Sequence, residues 1–168
     1  MTSKRAMLFV DAQNLEQTAK YHYDETHAID YVELVDLVSE DYDLVRPYLF
    51  DSHTPGDDKS DFYEFLQREL GFRVVSRELK ESGELPTEKG VDVALATELI
   101  AQGFNDSYDV AVVVSGDADY DRAIRYVQDQ GKVVEAAMFE GAASGRLRDA
   151  VDDFYPLNEY DERLYRGD

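Results

Sequence analysis

The sequence predicts an α/β fold of three layers, with helices on both faces of a mostly parallel sheet of five strands or slightly more. Three observations carry this. Short apolar runs bounded by turn residues recur along the chain, and longer segments with apolar residues at helical spacing separate them. The strongest run, Val110 to Val114, is apolar without alternation, the pattern of a strand buried on both faces of a parallel sheet. Strands and helices alternate throughout, with no internal repeat and no second-domain boundary. By analogy with doubly wound sheets, right-handed crossovers and strand order 3-2-1-4-5 make the chain reverse between the first and fourth strands, which opens a crevice there.

Taken in order, residues 6–10 form the first strand and end at Asp11. Residues 14–27 are polar with scattered tyrosines, and read as a short helix and a mobile loop. Asp30 with Glu33 makes a capping box for a helix whose inner face is Tyr31, Leu34, Val35 and Val38. Arg46 to Phe50 is the second strand, weakened slightly by Pro47. A loop with a Pro-Gly pair leads to a helix carrying Phe62, Phe65, Leu66 and Leu70, stopped by Gly71. Residues 72–76 are the third strand, residues 78–88 a polar loop, and residues 91–102 a helix ending at Gly103. After the fourth strand, Tyr120, Ala123, Ile124 and Val127 mark a helix that ends at Gly131, and Val133 to Phe139 is the fifth strand. Ser144 is the expected N-cap of a last helix with Leu147, Ala150, Val151 and Phe154 on one face. A single domain over 1–157 follows, and residues 158–168 form a charged tail expected to fray.

The composition, 43% hydrophobic in 168 residues, suits one globular domain. There is no cysteine, which excludes disulfides, thiolate zinc sites and cysteine nucleophiles. No apolar run has the length of a membrane span or signal peptide, so a soluble cytoplasmic protein is expected. The net charge is −20, from 37 acidic and 17 basic residues. Such acidity ordinarily opposes a nucleic-acid partner. Here it is dispersed rather than gathered in a tail, which fits adaptation to a salty cytoplasm where screening is short-ranged. The acidic balance then speaks of habitat rather than substrate.

The chemistry gathers at two turns. Ser115-Gly-Asp117-Ala-Asp119-Tyr-Asp121 follows the fourth strand, and Asp11-Ala-Gln-Asn14 follows the first. Acids where buried strands end lie at the usual ligand edge of such a sheet. Asp92 joins them from the first turn of a helix, on the stripe it shares with Leu95, Ala96 and Leu99. Singly, each acid has an ordinary explanation: Asp92 as partner of the helix dipole, Asp117 and Asp119 as turn formers, Asp11 as a strand terminator. Together, carboxylates about 5 Å apart repel by roughly 3 kcal/mol per pair at an effective dielectric near 20, and persist only if protons or a cation offset this. Mg²⁺ or Mn²⁺ suits such ligands and leaves positions open for phosphate oxygens. Asn14 offers an amide to orient water or phosphate, or else caps a helix. Lys89-Gly90 adds a cation at a helix N-terminus. Lys59 and Arg122 are candidates to reach the same edge, though surface roles explain both.

Other chemistries lack their residues. His22, His27 and His53 have no metal-ligand spacing, and there is no phosphate-binding loop or dinucleotide fingerprint. Ser115 is outside any Gly-x-Ser-x-Gly elbow. Tyr21, Tyr23 and Tyr120 offer stacking faces for bases, although packing accounts for them equally.

Phe9-Val10-Asp11-Ala-Gln-Asn14, Lys89-Gly-Val-Asp92-Val-Ala-Leu95 and Ser115-Gly-Asp117-Ala-Asp119-Tyr120 resemble, in order, three motifs of the NYN family, the LabA-like branch of the PIN-like nucleases. The resemblance covers about residues 6–157. It implies a Rossmann-like, PIN-like fold and metal-dependent RNA cleavage. Asp11, Asp92, Asp117 and Asp119 are then the catalytic acids, and the first three hold Mg²⁺ or Mn²⁺. Asn14, Lys89, Ser115 and Lys59 are placed for substrate phosphate. RNA is the expected partner, no membrane is involved, and a homodimer is allowed. Ala12, Glu98 and Arg122 depart from the family's commoner glycine, aspartate and proline, and Tyr120 stands at its phenylalanine. The rival readings are a catalytically silent RNA- or protein-binding domain, and a receiver-type domain phosphorylated on Asp51. The second lacks paired acids after the first strand and a lysine after the fifth.

Overall fold

The computed structural model describes residues 3–23, 28–79 and 89–166. Its sheet has six parallel strands, β1 (Arg5–Asp11), β3 (Asp43–His53), β4 (Arg73–Glu78), β5 (Val110–Val114), β6 (Val133–Met138) and β7 (Asp153–Pro156), in the order β4-β3-β1-β5-β6-β7. This is the expected 3-2-1-4-5 arrangement with one strand added at the edge.

Side chains alternate across the sheet and so build two cores. On one face, Ala6, Leu8 and Val10 of β1 with Val110, Val112 and Val114 of β5 pack under α1 (Ala12–Tyr23), α2 (Tyr31–Asp41) and α3 (Ser60–Leu70). On the other, Met7, Phe9, Ala111 and Val113 pack under α4 (Lys89–Phe104), α5 (Asp121–Asp129) and α6 (Gly145–Ala150). Parallel strands need crossovers, and α4 carries the chain from the β4 edge to the centre on the second face. Because the β1 turn feeds α1 on one face and the β5 turn feeds α5 on the other, the two turns separate at the strands' C-terminal ends. The switch point of the sheet, where the sequence leads one to expect a crevice, lies between them.

Helix ends follow the sequence. Asp30 caps α2 by accepting from Val32 N at 3.0 Å and Glu33 N at 3.2 Å, and Ser144 caps α6 through Arg146 N. Gly71 closes α3 in the left-handed region. Gly103 does not end α4, which runs on to Phe104. A Cβ there would stand 2.8 Å from both Tyr108 Oη and Val127 Cγ1, so this glycine permits close packing of α4 on α5. The chain instead turns at Asp106, whose φ is 56°.

Two other expectations are corrected. The last helix stops at Ala150, and Phe154 belongs to the sixth strand, where its neighbour Tyr155 pairs with Ala137. Residues 157–166 are not frayed. They form a 3-10 turn (Leu157–Tyr160), α7 (Asp161–Leu164) and a short strand β8 (Tyr165–Arg166), which pairs antiparallel with β2 (Ala28–Ile29). Leu157 and Leu164 are buried, and Arg163 pairs with Glu33 and Glu40 of α2. Part of the loop expected over 78–88 and the end of that over 14–27 lie outside the described residues. Among those described, no helix is long and apolar enough to cross a membrane.

Candidate metal centre

The β5 turn is built by hydrogen bonds within itself and to the β1 turn. Asp117 accepts from Asp119 N at 2.9 Å, and so starts a 3-10 turn over Ala118–Tyr120. Ser115 Oγ accepts from Asp117 N at 3.2 Å and donates to Asp11 Oδ2 at 3.2 Å. Asn14 N donates to Asp11 Oδ1, and the Asn14 side-chain oxygen accepts from Gly116 N at 2.8 Å. This last bond joins the two turns. Gly116 passes so close to the segment before α6 that a Cβ would lie 2.2 Å from Ala142 O, a backbone atom that cannot swing aside.

Across this edge, Asp92, Asp117 and Asp119 each present a carboxylate oxygen, all within 4.8 Å of one another. Asp92 and Asp117 are half-buried and Asp119 is exposed. Asp11 is not one of the three. Its carboxylate is buried behind them, and the Tyr120 hydroxyl lies between, 2.9 Å from Asp92 Oδ1 and 3.2 Å from Asp11 Oδ2. One phenolic proton serves two carboxylates, so the group has one donor too few when both acids are ionised. Burial raises Asp11 to about 6, countered in part by its bond from Asn14 N and reinforced by the Asp92 charge. Burial, then Asp117 and Asp119, also raise Asp92 above the usual carboxylate range, while the Tyr120 bond opposes them. Tyr120, desolvated between two acids, is pushed far up and stays neutral.

The donor set fits a hard divalent cation. The three groups are all carboxylates whose oxygens lie close enough to share one ion, and oxygen donors are what such a cation prefers. Among the described residues, the cation that reaches the group is Arg146, whose Nη2 is 3.6 Å from Asp119 Oδ1 while its Nε pairs with Asp121 at 3.1 Å, both at the exposed rim.

The other expected residues divide. Asn14 and Ser115 are here, as buried or half-buried bracing rather than open donors. Lys89 opens α4, but its side chain lies outside the described part. Lys59 is corrected: its ammonium is held 3.0 Å from Asp51 Oδ2, which also accepts from Tyr63 Oη at 2.7 Å. Asp51 is fully buried, and a buried carboxylate keeps its nearest cation. The same burial removes Asp51 as an acceptor of phosphate. Tyr120 is the participant the sequence reading missed, because its hydroxyl stands at the end of a turn where the motif alone asks only for an aromatic ring.

A parallel sheet with an acidic cluster at its switch point is the architecture of the PIN-like nucleases. Within that class, the chain belongs to the NYN domain family, whose sequence model matches residues 5–158. It is 26% identical over 162 residues to the low amplitude and bright protein LabA of Synechococcus elongatus, a match covering 92% of this chain and 84% of that one. Its fold is that of a crystal structure of a protein of unknown function from Vibrio parahaemolyticus, with TM-score 0.81 and 20% identity over 98% of this chain and 97% of the other.

Proposed function

We propose that this chain is a ribonuclease that uses Mg²⁺ or Mn²⁺, held by Asp92, Asp117 and Asp119, to hydrolyse RNA phosphodiesters. The observation that carries the reading is the convergence of those three carboxylates within 4.8 Å at the switch point of an NYN domain. When bound, such a cation supplies Lewis-acid stabilisation of phosphoryl oxygens and lowers the pKa of a water. The chain's own residues hold the geometry. Tyr120 fixes the rotamer of Asp92, the Asp119 amide fixes Asp117, and Asn14 keeps the two turns in register. Asp11 contributes its charge from one hydroxyl away, as a positioning group behind the ligands.

A chain of net charge −20 needs local cations to approach a polyanion. Lys89 at the start of α4 is one. Arg77 takes the second role, in place of Lys59. It lies at the end of β4, paired with Ser52, and its Nη1 is 2.8 Å from where a Cβ on Gly90 would stand.

The Arg146 contact favours a second reading, a silent RNA- or protein-binding domain whose acids are neutralised from within. Exposed pairs of this kind are weak, and a divalent cation outcompetes them. Cleavage of a panel of RNAs with Mn²⁺ or with chelator, at low salt and in molar KCl, separates the two. The nuclease reading requires metal-dependent turnover that Asp117→Asn abolishes with the fold intact. Equal cleavage by the variant, or none by the native chain in any metal, refutes it.

A further inference from the structure

On the face of the sheet away from the aspartates, a half-open cavity of about 80 Å³ lies between α2 and strands β5 to β7. Its apolar wall includes Leu34, Val112 and Val114. Glu135 faces it. In β6, Val134 and Ala136 pack on the α5 side, so Glu135 and Ala137 point to the α2 side, and Glu135 is only 5% exposed.

No cation accompanies this carboxylate among the described residues. Its partners are two phenols: Tyr155 Oη donates to Glu135 Oε2 at 2.9 Å, and Tyr42 also hydrogen-bonds to it. The charged side chains acting on those two phenols are Glu135, Asp153 and, for Tyr42, Asp41, all acidic. Arg163, the nearby base of α7, is engaged by Glu33 and Glu40. A carboxylate accepts about four hydrogen bonds, and two phenols leave it short.

The walls say what would complete it. A divalent cation wants several oxygen ligands and keeps its own waters, which an apolar cavity with one inward carboxylate does not provide. A cavity of roughly 150 Å³ can hold benzene, so this smaller, half-open one suits a narrow chain rather than a ring.

We propose that the cavity is a binding site for a small primary alkylammonium ion, with its carbon chain against Leu34, Val112 and Val114 and its nitrogen on Glu135 between Tyr42 and Tyr155. The ammonium donates to the free lone pairs of Glu135, and the alkyl chain displaces water from the wall. This site shares no side chain with the aspartate group, so it stands or falls independently of the nuclease reading.

The test is a titration of the full chain with butylammonium chloride, butanol and sodium chloride at matched ionic strength, followed by methyl NMR of the leucines and valines. Saturable shifts at Leu34, Val112 and Val114 are expected with butylammonium, at an affinity about tenfold above butanol, the worth of one charge-assisted hydrogen bond. Glu135→Gln should remove the preference for the cation. Ala137→Leu, which narrows the cavity and keeps the charge, should abolish both alkyl titrations. The proposal is overturned if no saturable shift occurs, if butanol binds as well as butylammonium, or if the preference survives Glu135→Gln.

Discussion

Replacing Asp11 with asparagine should make the chain more stable, and only above the acid range. In the folded state the Asp11 carboxyl titrates at about 6 against an ordinary 3.8, mainly because burial disfavours its charge. A raised carboxylate pKa means that the native state holds the proton more tightly than the unfolded chain. Its stabilising contribution is therefore complete below pH 3.8, declines as pH rises through 6, and is absent above. That interval amounts to about 3 kcal/mol. Asparagine stays neutral throughout, and its amide can donate to the Tyr120 oxygen while the phenol proton turns to Asp92. The variant should match the native chain near pH 3.5 and exceed it by up to about 3 kcal/mol at pH 8. Urea unfolding of both chains in chelator, across pH 3.5 to 8, measures this, and taking the difference cancels the acids that do not interact with Asp11. A difference that does not change with pH, or a variant less stable at pH 8, would refute the assignment of Asp11 as a buried acid short of a donor.

Three further outcomes are expected. Tyr120→Phe removes the hydroxyl that orients Asp92, and should weaken Mn²⁺ binding by about 10- to 100-fold, read by calorimetry, with near-native secondary structure. Lys59→Ala leaves Asp51 buried without its cation, and should cost about 3 kcal/mol in urea unfolding while RNA cleavage per folded molecule is unchanged; a large loss of turnover would return Lys59 to the substrate. Leu164→Ala should destabilise by roughly 3 kcal/mol, the cost of a buried leucine, and a change under 0.5 kcal/mol would mean the C-terminal segment is not docked in solution.

What could be read from the sequence, and what could not, follows from the range of the forces involved. The β1 and β5 strands are continuous apolar runs because both faces are covered, and that pattern is local. So are the Asp30 and Ser144 caps, which act over three residues. Strand β7 was hidden because four residues are too few to show a period, and Phe154 falls at helical spacing from Ala150. The final segment is rich in charge, so its composition masks Leu157 and Leu164, whose burial depends on α2 and β2 far away in sequence. Gly103 reads as a helix stop, since nothing local reveals that Tyr108 and Val127 press on it. At the site, the acids were legible because they cluster at strand ends. The pairing of Lys59 with Asp51, the placing of Asp11 behind the other three and the bridge through Tyr120 are tertiary facts that no spacing encodes.

The nuclease account is tested most directly by diffraction at the manganese edge from crystals soaked in Mn²⁺. One anomalous peak bounded by Asp92, Asp117 and Asp119, absent in Asp117→Asn crystals, is the predicted result. Saturating Mn²⁺ with no peak at that group, or an unchanged peak in the variant, would contradict it.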